Sequence, residues 1–490
     1  MSAASPTKES IEEASVGVDH ELASPTKPLQ RPHWFRSTFF NITILGFCSF
    51  LAPGIWGAMS ATGGGGQQSV SLVNAANSST FCLMVVTGLL TPTLIRLTNV
   101  RIALSLGGVG YSVYAAGLYL HGKNGTEWLV VFGAVCCGIS AGTFWATEGS
   151  IALAYPERAK QGFYLSYWLM YRVMGQFLGG AINLGLNANN DQAGSLSSNT
   201  YIVFIVLQCL GPFVALLISL PEQVQRKDGT PVLLQLQPTA WQEIKSMAKI
   251  IVTPNVLLLL PLIWQGTFSE ALIGTYAASH FTVRSRALGS FLSAIVAALC
   301  NYIQGFFLDN QRTTINARGK GLFLTIYGMQ IGWWIFAIII MNRYEHTKPT
   351  LDWGQSEWNT GFALYIMLQI GFNLMYEYTY WIVGSSNQKS SEIVRLASII
   401  RSVESAGQAV SYGINSTTLR LDAVAGINFG LLAIALPPAW LVVRKVGILE
   451  DGTKLVKFPI YAEDDEQREE LAKSGVVDAT DAKGATAANQ

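Results

Sequence analysis

Apolar runs about as long as a bilayer is thick recur along most of this 490-residue chain, separated by short polar stretches. They fall at roughly 37–59, 70–95, 100–121, 127–155, 161–186 and 200–221, then at 252–279, 287–308, 320–342, 358–384, 392–413 and 423–443. A helix needs about 20 apolar residues, each rising about 1.5 Å, to cross about 30 Å of hydrocarbon. The pattern predicts an all-α polytopic membrane protein: twelve transmembrane helices in two six-helix bundles, 36–221 and 252–444. Polar tails, 1–35 and 445–490, flank them and are expected to be disordered. The connector, 222–251, has its own pattern. Thr239-Ala-Trp241-Gln242 fits a capping box. Beyond it Trp241, Ile244, Met247 and Ile251 form an apolar edge beside Lys245 and Lys249, as expected of a helix lying on the inner membrane surface.

Lysine and arginine counts orient the chain, because loops left on the cytoplasmic side are enriched in them. With the N-terminus inside, the tails and inner loops hold 24 such residues and the outer loops 6, with Arg172 and Arg401 inside runs. Both termini are therefore expected in the cytoplasm, and an even number of crossings follows. Asn124-Gly-Thr126 and Asn415-Ser-Thr417, both glycosylation sequons, then fall in outer loops. No apolar core precedes His33, so the first run itself is expected to direct insertion. Whether the membrane is the plasma membrane or an internal one is not written in the chain.

Composition agrees: 50% of residues are hydrophobic and 13% charged, against about 25% charged in soluble domains. The net charge of +1 is uninformative, but no basic patch supports nucleic-acid binding, and no nucleic-acid partner is expected. The six cysteines lie in or beside apolar runs without metal or disulfide spacing, and are expected to be small buried residues. Gly63 to Gly66 lacks the Gly-Lys-Ser/Thr of a phosphate loop and is expected to be a flexible outer loop. With no nucleophile elbow, no zinc-binding motif and no soluble domain for ATP, neither an enzyme nor a cofactor is called for.

The candidate chemistry lies inside the runs. Tyr164 to Gly185 carries Arg172 about halfway along, and Trp168, Arg172 and Gln176 recur every fourth residue on one helix face. A cation at that depth costs at least about 2.5 kcal/mol and normally faces a protein interior or wet cavity. Gly175 and Gly179 form a small-xxx-small step for close helix approach. The eleventh run has a polar stripe, Ser398, Arg401, Ser405, Gln408 and Tyr412, with Glu404 at its edge. Glu148, Glu377 and Glu270 complete the buried acids. Aligning Gly175-Gln176 with Gly407-Gln408 sets Arg172 against Glu404, in keeping with a duplicated half.

Two readings follow. In one, Glu148, Arg172, Gln176, Glu270, Glu377, Arg401, Glu404 and Gln408 form a substrate-binding or coupling site between the halves. In the other, Arg401 neutralises Glu404 three residues away, and Arg172 pairs with Glu148 only for packing. The stripe Tyr164, Tyr167, Trp168 and Tyr171 is expected to pack or anchor at the interface. His280 is expected to be solvated.

Gly305-Phe-Phe-Leu-Asp309 followed by Arg312 resembles the Gly-xxx-Asp-xxx-Arg loop of the major facilitator superfamily. There the glycine permits close packing while acid and base latch the inner gate, so the resemblance implies a gating loop at Gly305, Asp309 and Arg312. Its counterpart after Gly88 has Pro92 where the acid would stand. Three further stretches are similar to the uncoordinated-93-like family: Phe144-Trp145-Ala-Thr147-Glu148-Gly149-Ser150, Asn99-Val-Arg101 with Gly107-Gly108 and Tyr111, and Gln265-Gly266 with Glu270-Ala271. Glu148 replaces that family's usual glutamine. The resemblance implies a transporter fold and two possible lives: a secondary transporter of a small solute, or an accessory protein partnering an ion channel or receptor.

Overall fold

The computed structural model describes residues 33–67, 69–156, 161–226, 232, 239–308, 310, 312–386, 393–449 and 452–456. Most of both tails, and Asp309, lie outside the described residues. Among the described residues, thirteen helical segments of at least twelve residues run in order, besides three short 3-10 turns. They are α1 (Thr38–Ala61), α2 (Val70–Leu97), α3 (Val100–Asn124), α4 (Trp128–Ala154), α5 (Gln161–Asn187) and α6 (Ser198–Ala215). The connector helix α7 (Ala240–Ile251) follows. Then come α8 (Pro254–His280), α9 (Val283–Leu308), α10 (Ile315–Thr347), α11 (Ser356–Ser386), α12 (Ile393–Asn415) and α13 (Leu421–Val443).

Capping residues start several of them. Ser37 Oγ accepts from Phe40 N, Asn99 Oδ1 from Ile102 N and Thr314 Oγ1 from Ala317 N, each satisfying an otherwise unpaired first-turn donor. Thr239 Oγ1 likewise accepts from Gln242 N at the start of α7. Nine of the helices are long and apolar enough to cross a membrane among the described residues. Helices α5, α11 and α12 have the length but carry the polar residues singled out above. Large apolar side chains such as Phe213, Phe306, Ile339 and Ile434 are at least 60% exposed, which a hydrocarbon surround explains.

One apolar core is built almost wholly from α1 to α6, the other from α7 onward. The close-approach glycines behave as their spacing implies: a Cβ on Gly175 would sit 2.4 Å from Phe50 O, and one on Gly179 2.6 Å from Ala58 Cβ. That seats α5 directly on α1.

Several expectations are corrected. α1 is not a plain helix: Pro53 removes a donor, and the chain passes through a π-helical turn at Phe50–Gly54. α8 is broken between Gly266 and Ser269. α9 begins at Val283, so Arg284 and Arg286 lie on the helix rather than in a loop. Gly63 to Gly66 is a packed turn, with Gly63, Gly65 and Gly66 at positive φ and Gly63 wedged against the carbonyl of Gly274. His280 is buried between Tyr276 and Tyr344. Cys82 and Cys209 are exposed on the outer faces of their helices, while Cys48, Cys137 and Cys300 are buried. The C-terminal tail is ordered for its first residues, where Ile315 N donates to Leu455 O at 2.8 Å.

Candidate functional site

Between the halves lies a cavity of about 930 Å3. Its lining reaches Ser60 and Gly274 at the end away from the termini and Leu153 and Ser385 at the end that bears them. The far end is sealed by side chains reaching across to backbone carbonyls. From the second half, Ser290 Oγ donates to Ala58 O at 2.6 Å and Tyr365 Oη to Ala61 O at 3.1 Å. From the first, Asn74 Nδ2 donates to Asn415 O at 3.0 Å and Ser78 Oγ to Ala409 O at 2.8 Å.

Arg286, 3% exposed, is the centre of that seal. Its Nε donates to Thr62 O at 2.7 Å, Nη2 to Gly63 O at 2.8 Å and Nη1 to Gly194 O at 2.9 Å. It makes no ion pair among the described residues. Pattern reading missed it because it was assigned to a loop. Gly63, whose carbonyl accepts from Nη2, sits at positive φ, a conformation glycine adopts without steric cost.

Trp168, Arg172 and Gln176 all line the cavity from α5, as their spacing predicted. The Arg172 guanidinium lies over the rings of Trp145 and Tyr376, 5.5 and 5.8 Å from their centroids. It makes no hydrogen bond or ion pair among the described residues, so the packing pair with Glu148 does not form. Glu148 is instead fully buried behind Trp168, whose Nε1 donates to Oε1 at 2.6 Å and to Ser49 Oγ at 2.7 Å. The aromatic stripe on α5 therefore does more than pack. Gln176 Nε2 reaches across to Ser293 Oγ at 3.2 Å.

The second half supplies a paired set. Arg401 Nη1 is 3.4 Å from Glu404 Oε2, which also accepts from Tyr380 Oη at 3.1 Å. The intrahelical neutralisation weighed from the sequence is thus present, and Glu404 is not facing Arg172 as a direct partner. Arg401 in turn lies 4.7 Å from the Trp145 centroid, so one indole from the first half meets an arginine from each half. Gln408 Nε2 donates to Glu270 Oε2, joining α12 to α8. Glu377 lines the cavity from α11 beside Gln369, Asn373 and Tyr376.

The gating loop fits less well. A Cβ on Gly305 would meet nothing within 4 Å, so close packing is not what places glycine there. Arg312 is exposed and donates its backbone N–H to Asn310 Oδ1. Trp145, Tyr376 and Tyr380 were not singled out as site residues. The repeat Phe372, Tyr376, Tyr380 at helical spacing, alternating with Gln369, Asn373 and Glu377, is the signal that could have found two of them.

A model of the family described as Ion channel regulatory protein UNC-93 matches residues 75–346. Notoamide biosynthesis cluster protein O' of Aspergillus versicolor is 41% identical over 437 residues, 89% of this chain and 94% of that one. UNC93-like protein 1 of Arabidopsis thaliana is 26% identical over 414 residues, 82% of this chain and 89% of that one. Among solved structures, a D-xylose–proton symporter superposes with a TM-score of 0.58 at 12% identity, covering 85% of this chain and all of the symporter. The architecture is therefore the major facilitator fold, in an integral multi-pass membrane protein.

Proposed function

The chain belongs to the UNC-93 family, and on that premise we propose that it is a secondary transporter of a small organic solute. It works by alternating access between the halves 36–221 and 252–444, with all twelve long helices crossing the bilayer and both termini in the cytoplasm. The connector and tails then lie on the cytoplasmic side. The observation that carries the reading is Arg172, a guanidinium held over two rings with no ion pair among the described residues, in a large cavity sealed at one end by hydrogen bonds between the halves. A packing role is served more fully by an ion pair than by two rings alone, whereas a carrier needs a charge that its cargo completes. The Aspergillus relative is named for a biosynthesis cluster, which suits cargo made by such a cluster. Glu148, Glu270, Glu377 and Glu404 are the candidate coupling groups, and Gly305, Asp309 and Arg312 the candidate gating loop. No step breaks a covalent bond, so no enzymatic chemistry or cofactor is invoked.

The test is uptake into proteoliposomes. Arg172→Ala and Glu404→Gln are expected to abolish flux while both variants still reach the membrane. Normal flux in both removes the site. The family model's description favours a second reading, a non-transporting regulatory partner of an ion channel. Mass spectrometry of gently solubilised protein separates the two: a stoichiometric partner and a ligand-free cavity support the second.

A further inference from the structure

The lining of the cavity says what kind of solute it would accept. Nine aromatic side chains contribute to it, four Trp, three Tyr and two Phe, among them Trp145, Trp168, Tyr376 and Tyr380. Its 930 Å3 falls in the range that encloses a drug-sized molecule. Several polar groups on the wall are already engaged, Arg401 by Glu404, Glu270 by Gln408 and Gln176 by Ser293, although Arg401 Nε and Gln408 Oε1 keep no hydrogen-bond partner. A guest with hydroxyls on every side would turn some of them onto ring faces and leave those unmet. An extended aromatic body would stack on them instead.

Arg172 decides the charge. While the cavity is open its guanidinium can be hydrated. Once the halves close around cargo, water leaves and a lone cation there becomes costly. No described carboxylate hydrogen-bonds to it, and Glu148, Glu270 and Glu404 act on it only at a distance, so a carboxylate on the cargo is what can meet the guanidinium directly. A planar carboxylate matches the guanidinium fork in two parallel hydrogen bonds. Trp145 and Tyr376, stacked near the guanidinium, hold it in place for that contact and offer their rings to the cargo.

We propose that the solute is an organic acid with an extended aromatic body, its carboxylate held by Arg172 and its rings stacked against Trp145 and Tyr376. This rests on the cavity being the ligand site of the transport reading. It also implies a preference in the cycle: closure over an uncharged or cationic guest leaves Arg172 without a direct anionic partner, so the acid is carried in preference.

The probes are anthracene-9-carboxylate, its aminomethyl counterpart 9-anthracenemethylamine, and cyclohexanecarboxylate, titrated against the purified full-length chain in nanodiscs. The expected result is saturable binding of the aromatic acid, with the amine and the non-aromatic acid each at least about tenfold weaker. Arg172→Gln should weaken the aromatic acid roughly 30-fold or more and bring acid and amine level, since it truncates one partner of a desolvated charge pair. Arg172→Lys should recover part of the loss. Tyr376→Leu, which keeps the Arg172 guanidinium but removes one ring beside it, should weaken the aromatic acid by a larger factor than it weakens cyclohexanecarboxylate. Equal binding of amine and acid by the wild type, no effect of Arg172→Gln, or no saturable binding of the aromatic acid overturns the proposal. Binding with this preference but no flux sinks the transporter reading and leaves the ligand class standing. Flux of a cationic or ring-free solute that ignores Arg172 does the reverse.

Discussion

Arg286 offers the sharpest test of how the two ends of the molecule are controlled. Its guanidinium reaches from α9 of the second half to Thr62, Gly63 and Gly194 of the first, with three hydrogen bonds between 2.7 and 2.9 Å. Hydrogen bonds from a charged donor contribute about 1.5–3 kcal/mol each. In an open far end water would replace them, and glutamine would keep part of the donor set. The net loss to the sealed state in Arg286→Gln is therefore about 2–5 kcal/mol, as for other truncated buried charge contacts. At about 1.4 kcal/mol per tenfold, even 3 kcal/mol shifts the sealed-to-open ratio roughly a hundredfold. Spin labels at Lys123 and Lys348, both exposed at that end of their helices, would report the change by double electron–electron resonance. Cys82, Cys136 and Cys209 would first be replaced by serine to keep labelling specific. The wild type should give one short distance, and Arg286→Gln a second, longer population. Arg420→Gln, which breaks only a surface pair with Asp422 within one half, should leave the distribution alone. An unchanged distribution in well-folded Arg286→Gln would refute the idea that this arginine holds the far end shut.

Other consequences are quicker to check. Trp168→Phe removes the donor to Glu148 and should cost about 1–3 kcal/mol in thermal unfolding. Glu148→Gln in that background should recover part of it, and strict additivity would count against a Trp168–Glu148 unit. Gly175→Leu should prevent assembly of α5 on α1, seen as loss of monodisperse protein, since even a Cβ there sits 2.4 Å from Phe50 O. Burial alone would raise the Asp352 carboxyl, but hydrogen bonds from Arg284, Thr282 and Ser285 outweigh it and hold it below its ordinary value. The stability it lends is thus complete above its unfolded value of about 4 and lost as pH falls through the lower folded one. Hydrogen exchange in the loop around Asp352 should be faster in Asp352→Asn than in wild type at pH near 6, and the gap should narrow toward pH near 3. A gap of constant size would sink that assignment.

Much of the architecture was legible in the chain because hydrophobicity is a local property. The run 100–121 became Val100–Asn124 and the run 423–443 became Leu421–Val443, since a segment that must live in hydrocarbon declares its length in its own residues. The shared face of Trp168, Arg172 and Gln176 followed from helix periodicity alone. The breaks in α1 and α8 were harder, because proline or glycine marks where a helix can yield but not whether its neighbours exploit it. Who pairs with whom was decided only by the fold. Arg172 and Glu148 lie on adjacent helices of one half, yet Trp168 comes between them and takes the carboxylate, leaving the guanidinium over Trp145 and Tyr376. Arg286 looked like a loop cation and became the seal of the far end. Charge partners depend on which faces of distant helices meet across a seam, and no spacing along one helix encodes that.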